Sequence, residues 1–201
     1  MAGKLLLRGQ ILMRKNRNRV LCIVLICLLC ICGCGSGDLT GELSVDDVYS
    51  LLGQERDKVH DRLGVGNDDF EFQYSEEEDP YHQSEILIDD KTIEGKTGLT
   101  ILHFDEEGVL DQLLFHLTVD ETSTMSDYWH LGVRVSNKLD EKWKDESEPT
   151  GSAFDTGEEP DFSQIITKTR RWKIDEEKSY SFTWVTDTVR PGDSCTLVFG
   201  E

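Results

Sequence analysis

Between Leu99 and Val119 the chain writes two alternating runs around one turn. Leu99-Thr-Ile-Leu-His-Phe104 leads in, Asp105-Glu-Glu-Gly108 turns, and Val109 to Val119 returns. A side-chain period of two belongs to a strand with one buried and one wet face. Two such runs joined by a short turn containing glycine predict an antiparallel hairpin. In the return arm Val109, Leu113, Phe115, Leu117 and Val119 fall on one face, with Asp111 the exception near the turn. A hairpin with one apolar face is not stable alone in water; it needs further strands and a covering layer.

The rest of the chain supplies both. Phe70-Glu-Phe-Gln-Tyr74 alternates in the same way, Glu85 to Ile88 is a short strand, and Lys91 to Lys96 offers one more at an edge. Arg171 to Ile174, Tyr180 to Thr186 and Cys195 to Phe199 read as later strands, with Tyr180, Phe182 and Trp184 on one face. Helices are announced by caps. Ser44-Val-Asp-Asp47 and Thr124-Met-Ser-Asp127 both place an acid three residues after a hydroxyl, the pattern of a capping box. The first cap opens a helix with Val48, Leu51 and Leu52 on one side, ended by Gly53. A second short helix over Glu55 to Leu63 stops at Gly64. The cap at Thr124 opens the longest helix, striped by Tyr128, Gly132, Val135, Leu139 and Trp143 at helical spacing. Asp145 to Gln164 is acidic and rich in glycine and proline, and is expected to be a mobile loop. The expected class is therefore α+β: an antiparallel sheet with helices packed on one face, in the order helix–strands–helix–strands. Residues 44–201 make one domain of ordinary size, or two αβ halves, 44–120 and 124–201, sharing a sheet.

Charge divides the chain more sharply than its pattern does. The first 33 residues hold six basic residues and no acid; from Cys34 onward there are 15 basic residues against 40 acids, a formal −25. A body so acidic is not a nucleic-acid binder, because phosphate contacts need clustered Lys and Arg. Nor does it lie on an anionic membrane surface. It suits a solvated surface, a basic protein partner or loose cation binding.

The basic head is built differently. Arg14 to Arg19 precede a 13-residue apolar run, Val20 to Cys32. That run is short of the roughly 20 residues needed to cross a bilayer and fits the core of a signal peptide. Five of the six cysteines lie in or just after it. Four of them, Cys22, Cys27, Cys30 and Cys32, follow Leu or Ile; only Cys34 follows a small residue, Gly33, and precedes a flexible Gly-Ser-Gly. Zinc ligation by these cysteines would lack the polar scaffold of a zinc ribbon, and an uncleaved signal anchor is the main alternative. Ile31-Cys32-Gly33-Cys34 resembles the lipobox of bacterial lipoproteins, with Cys32 a slight departure at its tolerant position. The resemblance implies diacylglycerol on the Cys34 sulfur, cleavage between Gly33 and Cys34, and anchoring at the extracytoplasmic face of the cell membrane. Two acyl chains hold a protein on a bilayer stably. Residues 1–33 are then the signal peptide and 34–43 a flexible tether. Met13-Arg-Lys opens a more typical signal of this kind, so Met1 and Met13 are alternative starts.

A second resemblance covers less of the chain. Leu51-Leu-Gly-Gln-Glu-Arg-Asp-Lys-Val-His-Asp-Arg-Leu-Gly64, followed by a strand-rich segment, is similar to small envelope lipoproteins with beta-lactamase-inhibitor-protein-like folds. It implies a binding or assembly role and carries over no particular residue.

Catalytic signatures do not emerge. His60, His82, His103, His116 and His130 form no close ligand pair; His103 and His116 sit on opposite arms of the hairpin and could approach, though a solvent-face pair is the plainer expectation. The acid clusters at 68–69, 76–79, 105–107 and 158–159 lack the register of a calcium loop, and no metal or cofactor is expected. Cys195 alternates with Leu197 and Phe199 and should be a buried, inert thiol. Trp129 falls off the helix stripe, which makes it the candidate exposed contact residue. The expected function is a lipid-anchored extracytoplasmic binding or envelope-assembly protein, not an enzyme, that meets the membrane through Cys34 and engages an extracytoplasmic protein. The alternative is an envelope hydrolase or cation-dependent enzyme built on paired carboxylates.

Overall fold

A computed structural model describes residues 39–154 and 158–201. Gly33 and Cys34 lie outside the described residues. Among the described residues no helix is long and apolar enough to cross a membrane.

The chain is α+β. Two helices, α1 (Val45–Leu51) and α2 (Arg56–Leu63), lead into β1 (Phe70–Phe72), β2 (Ser84–Leu87), β3 (Lys91–Ile93), β4 (Lys96–Phe104) and β5 (Leu110–Thr118). Helix α3 (Met125–Trp143) follows, then β6 (Thr150–Gly151), β7 (Thr167–Lys173), β8 (Ser179–Thr186) and β9 (Ser194–Gly200). The strands form one antiparallel sheet in the order β1-β2-β4-β5-β9-β8-β7-β6, with β3 paired to β4 off this path. Strands from before and after α3 occupy separate halves and meet at β5–β9, which runs in unbroken register from Gln112↔Gly200 to Thr118↔Ser194.

Both capping boxes form. Ser44 Oγ accepts from Asp47 N while Asp47 Oδ2 accepts from Ser44 N at 2.9 Å; Thr124 and Asp127 repeat this at α3. Each box satisfies N–H groups that a helix start leaves without partners. Helix α2 stops because Gly64 turns left-handed, at φ 62°, where a side chain would be strained.

Alternation sorts the sheet into two faces. Leu102, Phe104, Leu113, Phe115, Leu117, Phe182, Trp184, Cys195, Leu197 and Phe199 are fully buried. The helices touch this face: the Tyr49 ring of α1 meets Phe199 at 5.8 Å, the His60 ring of α2 meets Phe104 at 6.1 Å, and Gly132 of α3 receives Trp184. Gly132 is required there, because a Cβ would lie 2.8 Å from Trp184 Cδ1. The indole is further fixed by its Nε1–H, which donates to the Tyr128 carbonyl at 3.1 Å.

Three local expectations are corrected. Residues 39–43 are not a flexible tether: Leu39 N donates to Arg62 O at 2.6 Å, and Leu43, fully buried, donates from its N to Thr92 O at 2.8 Å. Val109 does not share the buried face of β5; Leu110 does. Register passes from Phe104↔Leu110 to His103↔Gln112, so Asp111 is the extra residue of a β-bulge, which resets the alternation. The segment after α3 is not simply a mobile loop. Strand β6 pairs with β7, Phe154 is buried, and Phe162 packs on Trp184. Its aromatic residues dock on α3 and on the core, supplying the apolar burial that its overall composition obscures.

Candidate functional site

Docking of that segment also decides the fate of Trp129. The ring is 2% exposed, stacked on Phe154 at 5.6 Å and set edge-on to Trp184 at 5.3 Å. The expectation of an exposed contact residue is therefore corrected: Trp129 leaves the helix stripe because α3 is covered on a second side. His103 and His116 do not meet, being four residues apart in register on β4 and β5, opposite Gln112 and Leu99 respectively. His103 Nδ1 lies 2.6 Å from Asp111 Oδ1 and His116 Nδ1 lies 3.1 Å from Thr196 Oγ1. Cys195 is buried, and burial pushes its thiol up to about 12.

The acid clusters act locally. Asp79 Oδ2 accepts from Gln83 N at 2.6 Å, Asp105 Oδ1 accepts from Val109 N at 2.8 Å, and Asp69 Oδ2 accepts from Gly66 N at 2.7 Å. These are turn caps, in which a carboxylate replaces water on a backbone donor. Among the described residues no group of three or more His, Cys, Asp or Glu is arranged to hold a metal ion.

One buried charge cluster escaped the sequence reading. Glu85 of β2 points into the core and is 0% exposed. Its Oε2 lies 2.7 Å from His60 Nε2, and its Oε1 forms an ion pair of 3.4 Å with Arg56 Nε, without a hydrogen bond. Arg56 also donates from Nη2 to the His82 carbonyl at 2.7 Å and lies over the Phe104 ring at 4.6 Å. His82 adopts φ 50° and stacks on Phe72 at 3.9 Å. Thus the Glu85 carboxylate fastens β2 to α2, and Arg56 fastens α2 to the β1–β2 connection. The spacing of Arg56 and His60, one helical turn apart, was the signal available; nothing local marked Glu85 as their partner. Arg56 also borders an open cavity of about 410 Å³ with Tyr81, Asp57, Asp105 and Glu107. Glu85 and Asp79, both buried carboxylates, are engaged as an ion-pair partner and a turn cap.

The second feature is larger. On the face turned away from the helices, residues pair in one row across the sheet: Ile86↔Ile101, Ile101↔Leu114, Leu114↔Val198, Val198↔Thr183 and Thr183↔Thr169. Their side chains are half-buried, whereas on β2, β4, β5, β8 and β9 their neighbours on the helix side are buried. A parallel row holds Leu99, His116, Thr196 and Val185, also half-buried. Four aliphatic side chains lie side by side in the first row, an apolar strip on the open face. By contrast, the cavity of about 690 Å³ between α1 and α3 is crossed by two ion pairs, Lys138–Glu94 and Lys142–Asp46. These pairs match four of the charged groups that line it.

No protein-family model, no curated protein and no solved structure matches this chain.

Proposed function

We propose that this protein is a lipid-anchored extracytoplasmic binding module, held on the membrane through diacylglyceryl-Cys34, that engages a protein partner with the open face of its sheet. The observation that carries this reading is the row Ile86–Ile101–Leu114–Val198. Aliphatic side chains aligned across strands form a contiguous, half-buried strip on a face the helices do not cover, and contiguous apolar surface within reach of solvent marks interaction sites. The antiparallel strands give that surface a rigid backing, which lowers the ordering cost of binding. The strongly acidic remainder of the body keeps an apolar face from driving self-association, by like-charge repulsion. The lipobox supports the anchoring half of the reading, and Gly35-Ser36-Gly37 after Cys34 has the composition of a tether.

Each half has its own test. Mass spectrometry of the membrane-extracted protein should find an acylated Cys34 at the amino terminus; an unmodified Cys34 behind an intact leader would remove the anchor. For the face, a photo-crosslinking residue replaces Leu114 in one variant and the exposed Glu141 of α3 in another. Discrete crosslinks to one extracytoplasmic protein from position 114, and none from position 141, are expected. Equal or absent crosslinking from 114 defeats the face reading.

A further inference from the structure

Among the described residues the first strand of the sheet is an open edge. Strand β1 has one neighbour, β2. Ile88 N donates to Asp69 O at 3.0 Å and Gln73 N to Ser84 O at 2.9 Å, flanking the paired residues Phe70↔Leu87, Glu71↔Ile86 and Phe72↔Glu85. In an antiparallel ladder hydrogen-bonded pairs alternate with non-bonded ones. Glu71 therefore bonds inward to Ile86, and the N–H and C=O groups of Phe70 and Phe72 face away from β2. The opposite edge is better guarded: β6 has only two residues, Thr150 and Gly151, and Pro149 precedes them, the devices that blunt an edge.

The surroundings of β1 give the chemistry of what fits it. Phe72 is 44% exposed, and its ring lies 5.6 Å from Phe70 and stacks on His82, so the outward backbone groups are flanked by aromatic surface. From Gly64 to Asp90 the chain holds ten acids and no lysine or arginine; eight of the acids are exposed, Asp79 and Glu85 being buried. Glu71 projects on the opposite side of β1 from Phe70 and Phe72. We propose that β1 is a docking edge for an extended basic peptide of a partner, which adds as a further antiparallel strand. Its main chain pairs with Phe70 and Phe72, its apolar side chains lie beside the two phenylalanines, and a Lys or Arg faces Glu71. Main-chain pairing supplies affinity and the alternation of side chains supplies selectivity, as in strand addition generally. Charge complementarity selects this occupant over a second copy of the chain, whose own edge carries the same acids and would be repelled. The proposal concerns the edge and stands apart from the occupant of the open face.

The test uses the full chain in detergent micelles, titrated with a labelled octapeptide of alternating lysine and valine and with its glutamate–valine counterpart. The lysine peptide should bind, and its affinity should fall about tenfold or more as salt is raised from about 50 to 300 mM, because the attraction is between exposed charges. The glutamate peptide should not bind. On binding, amide exchange at Phe70 and Phe72 should slow about tenfold or more, while Glu71, already bonded to β2, should not change. Phe72→Pro removes one outward donor without touching a bond to β2, and should weaken binding about tenfold or more. Glu71→Lys keeps every backbone donor and should weaken it comparably, so the proposal stays testable should the proline variant disturb β1. Unchanged exchange at Phe70 and Phe72 in the bound state, wild-type binding by Glu71→Lys, or equal binding of the glutamate peptide overturns the proposal. A concentration-dependent dimer abolished by Phe72→Pro also overturns it, in favour of a second copy.

Discussion

Removing Arg56 should cost more than removing the carboxylate it serves. Glu85 is 0% exposed, and its charge is met by Arg56 Nε at 3.4 Å and His60 Nε2 at 2.7 Å. In Arg56→Met the aliphatic stem over Phe104 is largely retained, but a carboxylate stays in the core with one partner. Breaking a buried pair from one side costs about 3–5 kcal/mol, chiefly because an uncompensated charge remains. The complementary Glu85→Leu leaves Arg56, whose side chain is 27% exposed, free to turn its guanidinium to water; about 1–2 kcal/mol should be lost. In the double variant no charge is stranded, so it should be more stable than Arg56→Met alone, with a coupling of about 1–3 kcal/mol. Urea unfolding followed by tryptophan fluorescence measures all four corners of the cycle. With an m-value of about 2 kcal/mol/M, Arg56→Met should lower the midpoint by about 2 M. Because the pair is desolvated, the difference should persist when salt is raised. Additive losses, or a loss under about 1 kcal/mol for Arg56→Met, would refute the claim that Glu85 is a buried charge held by Arg56.

Other positions give shorter tests. Gly132→Ala gains about 0.8–1 kcal/mol of helix propensity but places a Cβ 2.8 Å from the fixed Trp184 ring; overpacking costs about 1–3 kcal/mol, so thermal unfolding should show a net loss. Asp140→Ala frees both Arg170, whose Nε and Nη2 donate to it at 2.8 and 2.7 Å, and Trp172 Nε1 at 3.0 Å, and should cost about 2 kcal/mol or more by the same assay. Phe154→Ala should cost about 3–5 kcal/mol and make Trp129 accessible to an acrylamide quencher; wild-type quenching would mean that the segment after α3 does not cover it. Cys195 should resist a thiol reagent until the protein unfolds. Because its folded value is raised from 9.0 to about 12, the contribution is whole below pH 9 and is lost as pH rises through that window, at most about 1.4 kcal/mol per unit. Cys195→Ser should flatten that alkaline decline. At the acid end, Asp175 and Asp187 accept backbone N–H bonds that hold their carboxyls below the usual range; what they contribute is present above the ordinary carboxylate value and lost as pH falls through the folded one.

Much of this architecture was written locally. The capping boxes at Ser44 and Thr124, the glycine stop at Gly64 and the stripe along α3 depend on residues three or four apart, which no distant contact has to supply. The alternation of β4, β8 and β9 likewise identified which side chains would be buried, because a strand between water and a core has only two faces. The bulge at Asp111 was visible only as an exception to the pattern; its effect, shifting burial from Val109 to Leu110, needed the pairing with β4. Three matters belonged to the tertiary structure alone. Trp129 is buried because a segment more than 20 residues later folds back with Phe154. Glu85 sits at the centre of a buried cluster because residues 25 and 29 positions earlier converge on it. The aliphatic row on the open face joins side chains from positions 86, 101, 114 and 198. Sequence periodicity reports the direction of a side chain relative to its own backbone; what that side chain meets there depends on which distant strand or loop packs against it.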